Sequence, residues 1–107
     1  MPLIENLETM LARGQDSAML RFGLGSAYFN QQQFEQAIPH LERCLELDEN
    51  YTAAYKLLGR ALTELDKPER AREIFNVGLV KAGQTGDKQT EREIGVFLKK
   101  LSRRDTP

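Results

Sequence analysis

The chain has 107 residues, of which 40% are hydrophobic and 29% are charged, and its net charge is −1. This length is that of one small domain, and the composition is ordinary for a soluble globular protein. A charge so close to zero argues against a nucleic-acid-binding protein, which is usually clearly basic. A single cysteine cannot form an internal disulfide, and this favours a reducing compartment.

The N-terminal segment lacks the basic start and the long apolar run of a signal peptide. No stretch of the chain approaches the roughly 20 apolar residues that a membrane-spanning helix needs. We therefore expect a cytoplasmic protein that does not enter a membrane.

The first predicted helix covers residues 3–13, where Ile4, Leu7 and Leu11 recur at helical spacing and Gly14 follows as a terminator. The second covers residues 17–30, with Asp16 or Ser17 as its cap. Its apolar residues lie on two faces. The helix therefore either packs between two neighbours or exposes one apolar face that can bind a partner.

Two further helices are predicted over residues 34–47 and 53–65. Pro39 lies early in the first of them, and it predicts a slight bend or a helix that begins nearer to the proline. Thr52 is the expected cap of the second.

The last two helices are predicted over residues 68–82, with Gly83 as the terminator, and over residues 87–103. The final helix has an apolar stripe and a Lys- and Arg-rich outer face, as a terminal capping helix should have. The stripe consists of Ile94, Phe97, Leu98 and Leu101.

The chain repeats itself at the interval that separates Leu24-Gly25 from Leu58-Gly59, which gives two full units at 17–50 and 51–84. Leu41 and Phe75 match at the same interval, as the printed sequence shows. Leu7 and Leu11 precede Leu41 and Leu45 by this interval too, so the first helix is in register with the second helix of a unit. A period of about 34 residues with two helices predicts stacked helical hairpins, whose faces are buried only by their neighbours.

Both units resemble the tetratricopeptide repeat. The segments that carry the resemblance are 24–28 with 34–37 and Leu41 in the first unit, and 55–62 with 69–71 and Phe75 in the second. The resemblance implies an all-α, short right-handed solenoid of helical hairpins with flanking N-terminal and C-terminal capping helices. In this pattern Gly25 and Gly59 allow close helix contact opposite Ala37 and Ala71.

The resemblance also implies a scaffold that holds a peptide in a concave groove lined by the first helices. One subgroup of the family grips a peptide carboxylate with Lys and Asn, but those positions carry Phe22, Ser26 and Leu57 here, so we reject that clamp. An apolar half beside a basic half suits an apolar or aromatic peptide with an acidic flank. The expected groove residues are Met19, Phe22, Ser26, Phe29, Lys56, Arg60 and Thr63.

Two interpretations of Phe22 and Phe29 remain open. Both rings lie on one helix face, and they are either buried against the N-terminal helix or exposed as anchors for a partner. A second function is also open: a self-associating structural subunit that uses the exposed apolar face of its first helices as a dimer interface.

No residue pattern indicates an enzyme, a cofactor or a metal site. Gly23 and Gly25 begin a nucleotide-binding glycine motif, but Tyr28 stands at its third glycine. His40 has no ligand partners at suitable spacing and is expected on a helix surface, while Cys44 takes a small, buried and inert position. The leading hypothesis is therefore a non-enzymatic protein–protein interaction module, with no nucleic acid and no membrane as partner.

Overall fold

A computed structural model describes residues 2–105, and within this range the chain forms six α-helices packed in chain order. No helix in the described range is both long and apolar enough to cross a bilayer. The predicted all-α solenoid of helical hairpins is confirmed. The helices are α1 (Pro2–Ala12), α2 (Ala18–Asn30), α3 (Phe34–Leu47), α4 (Thr52–Glu64), α5 (Pro68–Thr85) and α6 (Lys88–Asp105).

Each hairpin closes where a large side chain of its second helix meets a glycine of its first. A Cβ atom placed on Gly25 would lie 2.6 Å from Leu41 Cδ2, and one placed on Gly59 would lie within 2.6 Å of ring atoms of Phe75. Only glycine permits these contacts. The atom of Ala37 nearest to the same position is its backbone carbonyl oxygen, at 3.5 Å.

One large hydrophobic cluster joins α3, α4, α5 and α6, with Phe75, Leu62 and Ile94 almost fully buried. A smaller cluster of Ile4, Leu24 and Ala27 holds α1 against α2. The core is therefore thick at the C-terminal end of the solenoid and thin at its N-terminal end.

The C-terminal capping helix α6 occupies the position that the first helix of a following hairpin would take. Ile94-Gly95 corresponds to Leu58-Gly59 of the preceding unit, and α6 packs on both α5 and α4, as the first helix of a following hairpin does. The interval between these two pairs is longer than the period by two positions, because α5 runs to Thr85. Gly86, with φ of +77°, closes α5, and the expected terminator Gly83 lies inside the helix.

Three other local predictions have different outcomes. Ser17 caps α2, since its Oγ accepts a hydrogen bond of 3.1 Å from the Leu20 amide. Thr52 does not cap α4: it is the first helical residue, and its hydroxyl donates to Asp87 at 2.6 Å. Pro39 lies within α3, which begins at Phe34 and not nearer to the proline.

The turns between the helices of each hairpin use the same backbone conformation. Gln32 and Asp66, which are one period apart, both adopt positive φ, at 61° and 57°. The turn after α1 is closed by Gly14 at φ +86°, as predicted. Both full hairpins therefore reverse the chain with the same backbone conformation at this turn position.

Gly59→Ala should destabilise the protein by about 1–3 kcal/mol, because its Cβ overlaps the buried Phe75 ring, and overpacked cores cost about this much. Gly95→Ala is the matched control, since a Cβ at Gly95 meets nothing within 4 Å. It should be neutral or stabilise by up to about 1 kcal/mol, through helix propensity alone. Urea unfolding in dilute solution measures both. Equal effects of the two substitutions would contradict the glycine contact.

Candidate functional site

The predicted groove residues lie on the first helices α2 and α4, but they line separate depressions. Met19, Phe22 and Ser26 line an apolar depression of about 500 Å³ between α1 and α2. Its other wall is formed by Leu3, Leu7 and Met10 of α1. Met19 is 76% exposed and forms the open edge of this depression.

The two candidate aromatic anchors are each half-buried. Phe22 packs on Tyr51 at a ring-centroid distance of 4.9 Å, and Phe29 packs edge-on against Phe34 at 5.1 Å. Neither ring is fully buried under α1. Phe22 therefore packs on the start of the second unit, Phe29 packs within its own hairpin, and both rings retain an accessible face.

The other half of the predicted groove is centred on Arg60. Its guanidinium carbon lies 4.9 Å from the centroid of the Phe29 ring and 5.2 Å from that of Phe97. Depressions of about 340 Å³ and 270 Å³ flank it on the α2 and α6 sides. Arginine stacks readily on aromatic faces, and its N–H groups remain able to bind a carboxylate in the plane of the guanidinium.

Lys56 and Thr63, also expected in the groove, are engaged within the protein. Lys56 Nζ forms an ion pair of 3.0 Å with Glu93 of α6, and the Thr63 hydroxyl donates to the Gly59 carbonyl at 2.8 Å. The charge of Lys56 is therefore locally balanced. The predicted basic half is centred on Arg60 instead.

Sequence reasoning missed the contribution of α6 to this surface. Phe97, Lys100 and Arg104 line the same depression as Arg60 and Thr63. Lys100 Nζ lies 5.4 Å from the Phe97 ring centroid, and Arg104 pairs with Asp66 at 2.9 Å. The signal that could have revealed them is the Ile94-Gly95 pair, which marks α6 as a first helix.

A polar cluster joins α1, α2 and α3, and it corrects the expectation that His40 lies on the helix surface. His40 is half-buried, and its ring stacks on Tyr28 at 5.6 Å. Arg21 Nη1 lies 3.1 Å from His40 Nδ1. Because arginine can only donate, Nδ1 is the acceptor and the ring proton resides on Nε2. The Tyr28 hydroxyl donates to Glu8 at 2.9 Å, which ties α1 to this cluster.

His40 and Cys44 both have pKa values that are shifted in favour of their neutral forms. Burial lowers the pKa of His40, and Arg21 lowers it further, although Glu8 and Asp16 oppose this. Burial raises the pKa of the Cys44 thiol to about 11, with a contribution from Asp48. The predicted burial of Cys44 is confirmed, and its thiol is protonated at neutral pH.

Comparison with known proteins identifies this arrangement. A family profile described as tetratricopeptide repeat matches residues 28–87, which is more than half of the chain. The chain belongs to the tetratricopeptide repeat family. A TPR repeat-containing protein of Pseudomonas aeruginosa is 48% identical over 104 residues, covering 97% of this chain and 99% of the relative.

Solved structures of similar TPR proteins show the same fold. A Bordetella parapertussis protein with a solution structure is 42% identical, with a TM-score of 0.86 over 96% of this chain and 90% of that one. The TPR2B domain of yeast Sti1, solved in a complex with pHsp70, is 21% identical. It superposes with a TM-score of 0.87 over 94% of this chain and 81% of its own.

His40→Gln should flatten the pH dependence of stability between pH 7 and pH 5. The folded-state pKa of His40 lies below its unfolded value near 6.5, so the unfolded chain binds more protons in this window. The wild-type protein therefore loses stability as the pH falls, and the variant loses less. Urea unfolding midpoints at the two pH values measure this effect.

The interpretation of this experiment is simple because His40 is the only histidine in the chain. The pKa values of Asp16 and Asp87 are lowered by hydrogen bonds, from Arg21 and from Thr52 respectively, so these groups titrate below the window. An identical pH slope in both proteins would show that the imidazole is as easily protonated in the folded chain as in water.

Proposed function

We propose that this TPR protein is a non-enzymatic interaction module that binds a peptide segment of a partner protein across its first helices, in the cytoplasm. The observation that carries the proposal is the Arg60 guanidinium between the Phe29 and Phe97 rings, with an open depression on each side. The yeast Sti1 domain of the same fold, solved with pHsp70, supports a protein ligand for such an array.

The chemistry of this surface favours a peptide with an aromatic or aliphatic side chain next to an acidic one. The half-buried rings provide an apolar surface, and Arg60 and Lys100 provide positive charge beside it. An arginine held by stacking loses less side-chain entropy on binding than a free one, which strengthens its hydrogen bonds to a carboxylate. The proposed peptide site comprises Phe29, Arg60, Thr63, Phe97 and Lys100.

No catalytic step is part of the proposal, because the two reactive side chains are used for packing. The buried Cys44 has a raised pKa, and His40 is held between Arg21 and Tyr28. A thiol with a pKa near 11 supplies very little thiolate at neutral pH.

Selection of a phage-displayed random peptide library on the full chain tests the proposal. The enriched sequences should combine an apolar or aromatic residue with Asp or Glu. Arg60→Gln should weaken the affinity of a selected peptide by about 10-fold or more, since one charge-assisted contact is worth about 1.5–3 kcal/mol. It should also reduce the salt dependence of binding. Fluorescence anisotropy with a labelled peptide measures both.

Arg13→Gln is the matched control, because Arg13 is exposed beyond the end of α1 and lines none of the depressions around Arg60. It should leave the affinity unchanged. Phe29→Ala is a poorer probe, since the Phe29 ring also packs on Phe34 and its loss would destabilise the hairpin. Peptides without acidic residues, or equal effects of the two arginine variants, would refute the proposed site.

Self-association is the second candidate function, and the apolar depression that contains Met19, Phe22 and Ser26 favours it. Large exposed apolar surfaces on small proteins mark interaction sites, and Met19 is the most exposed large hydrophobic side chain described. A protein that remains monomeric at all concentrations in light scattering would exclude it.

A further inference from the structure

The exposed face of α1 is the face that a second helix normally turns towards the first helix of its own hairpin. Leu3, Leu7 and Met10 lie one period before Ala37, Leu41 and Cys44, and those three α3 residues are fully buried. In α1, by contrast, Leu3 is 56% and Met10 is 40% exposed, and Leu7 is half-buried against α2. Among the described residues, no helix covers this side of α1.

The neighbouring surface of α2 completes a binding position for a helix. Met19, Gly23, Ser26 and Asn30 line the apolar depression, and they lie one period before Ala53, Leu57, Arg60 and Glu64. In α4 those later positions face the preceding first helix: Leu57 is buried and Arg60 stacks on Phe29 of α2. The depression between α1 and α2 therefore has the shape of a site for a first helix.

At the opposite end of the solenoid, α6 occupies a first-helix position, and no second helix among residues 2–105 packs on its outer side. Gly95 occupies the position of Gly25 and Gly59, yet a Cβ placed there would meet nothing within 4 Å, and the adjacent Val96 is 50% exposed. Glycine in a helix interior is unfavourable unless close contact requires it. The surface of α6 around Gly95 and Val96, on which a second helix would pack, is thus uncovered in the described residues. This surface is called the α6 seam below.

We propose that α6 of one copy of this chain docks in the α1–α2 depression of a second copy and so completes a hairpin between molecules. In this arrangement Leu7 of the second copy packs on Gly95 as Leu41 packs on Gly25. The inference rests on the second candidate function, self-association, and assigns to it a head-to-tail geometry in place of a two-fold dimer.

The charges of the two helices are complementary. Between Pro2 and Ala12, α1 carries Glu5 and Glu8 and no Lys or Arg, so its formal side-chain charge is −2. Between Lys88 and Asp105, the sequence of α6 has six Lys or Arg and three Asp or Glu, so its formal charge is +3. The opposite signs favour this pairing over α1 with α1 or α6 with α6, although Glu8 and Arg104 also have partners within the chain, Tyr28 and Asp66. The attraction weakens with added salt.

The two surfaces that meet in this contact are different, so association through them does not stop at a dimer. A head-to-tail interface leaves one free end of each kind after every addition and generates a series of growing oligomers, whereas a two-fold interface stops at a dimer. Each addition would extend the solenoid by three hairpin-sized units.

Sedimentation velocity on the full chain over a concentration series tests this pairing. The wild-type protein should form concentration-dependent oligomers that shrink at high salt. Leu3→Glu places a charge in the α1 end, and Gly95→Leu fills the α6 seam. Each should weaken association by at least about tenfold, as expected when a charge or a bulky group is forced into a packed interface.

Mixing the two variants distinguishes head-to-tail from two-fold association. Leu3→Glu retains an intact α6 seam and Gly95→Leu retains an intact α1 end, so an equimolar mixture should form a one-to-one dimer and nothing larger. In a two-fold dimer through the α1–α2 depression, Gly95→Leu would have no effect and mixing would restore nothing. That result would overturn the head-to-tail proposal and leave self-association in place.

Val80→Glu is the matched control, because Val80 is 57% exposed on α5 and does not line the α1–α2 depression. It should associate like the wild type, and thermal unfolding should show all three variants folded, since their sites are exposed or open. A wild-type chain that is monomeric at about 1 mM, where an interface of millimolar Kd is half-occupied, overturns both the pairing and self-association.

Discussion

The fold depends on one repeated contact, a large side chain of a second helix lying on a glycine of the first. Leu41 on Gly25 and Phe75 on Gly59 set the distance between the helices of each hairpin. Tyr55 on Gly78 is the reciprocal contact, with the glycine on the second helix. These glycines therefore determine how closely the two helices of each full hairpin approach each other.

The candidate binding surface is an extension of the same packing. The Phe75 ring stacks on Phe97 at 5.7 Å, Phe97 contacts Arg60, and Arg60 contacts Phe29. These four side chains connect α5, α6, α4 and α2 in one continuous series. Arg60 is therefore held in place by the core, and a surface held in this way loses little conformational entropy when it binds a ligand.

Most of the helices could be predicted from the sequence because a single period applies to α1 through α5. The period fails at α6 for a specific reason: α5 continues through Gly83 to Thr85, and this shifts the register of the following helix. Two glycines compete as terminators, and the one that adopts positive φ, Gly86, ends the helix. Local propensity cannot choose between them, because the choice depends on how α6 packs.

The side-chain contacts of the site could be predicted only in part. The period places Lys56 and Arg60 on a first helix, but the partner of Lys56 is Glu93, on the helix whose register had shifted. His40 is held by Arg21 and Tyr28 from α2, next to Glu8 from α1. These contacts join residues that are distant in the chain, and no pattern within a single repeat specifies them.

The apolar surfaces at the two ends of the solenoid are explained by the packing of its interior, where each repeat buries its apolar side against a neighbour. Natural repeat arrays usually end in units with a polar outer face, since a repeat buries its apolar side only against a neighbour. Here Leu3, Met10 and Met19 form one contiguous apolar border, whereas Val80 is an exposed apolar residue on the separate helix α5. A scattered apolar residue is normal on a protein surface, but a contiguous group at a position shaped for a helix is not. The difference lies in register: Leu3 and Met10 lie one period before Ala37 and Cys44, which are fully buried inside the array.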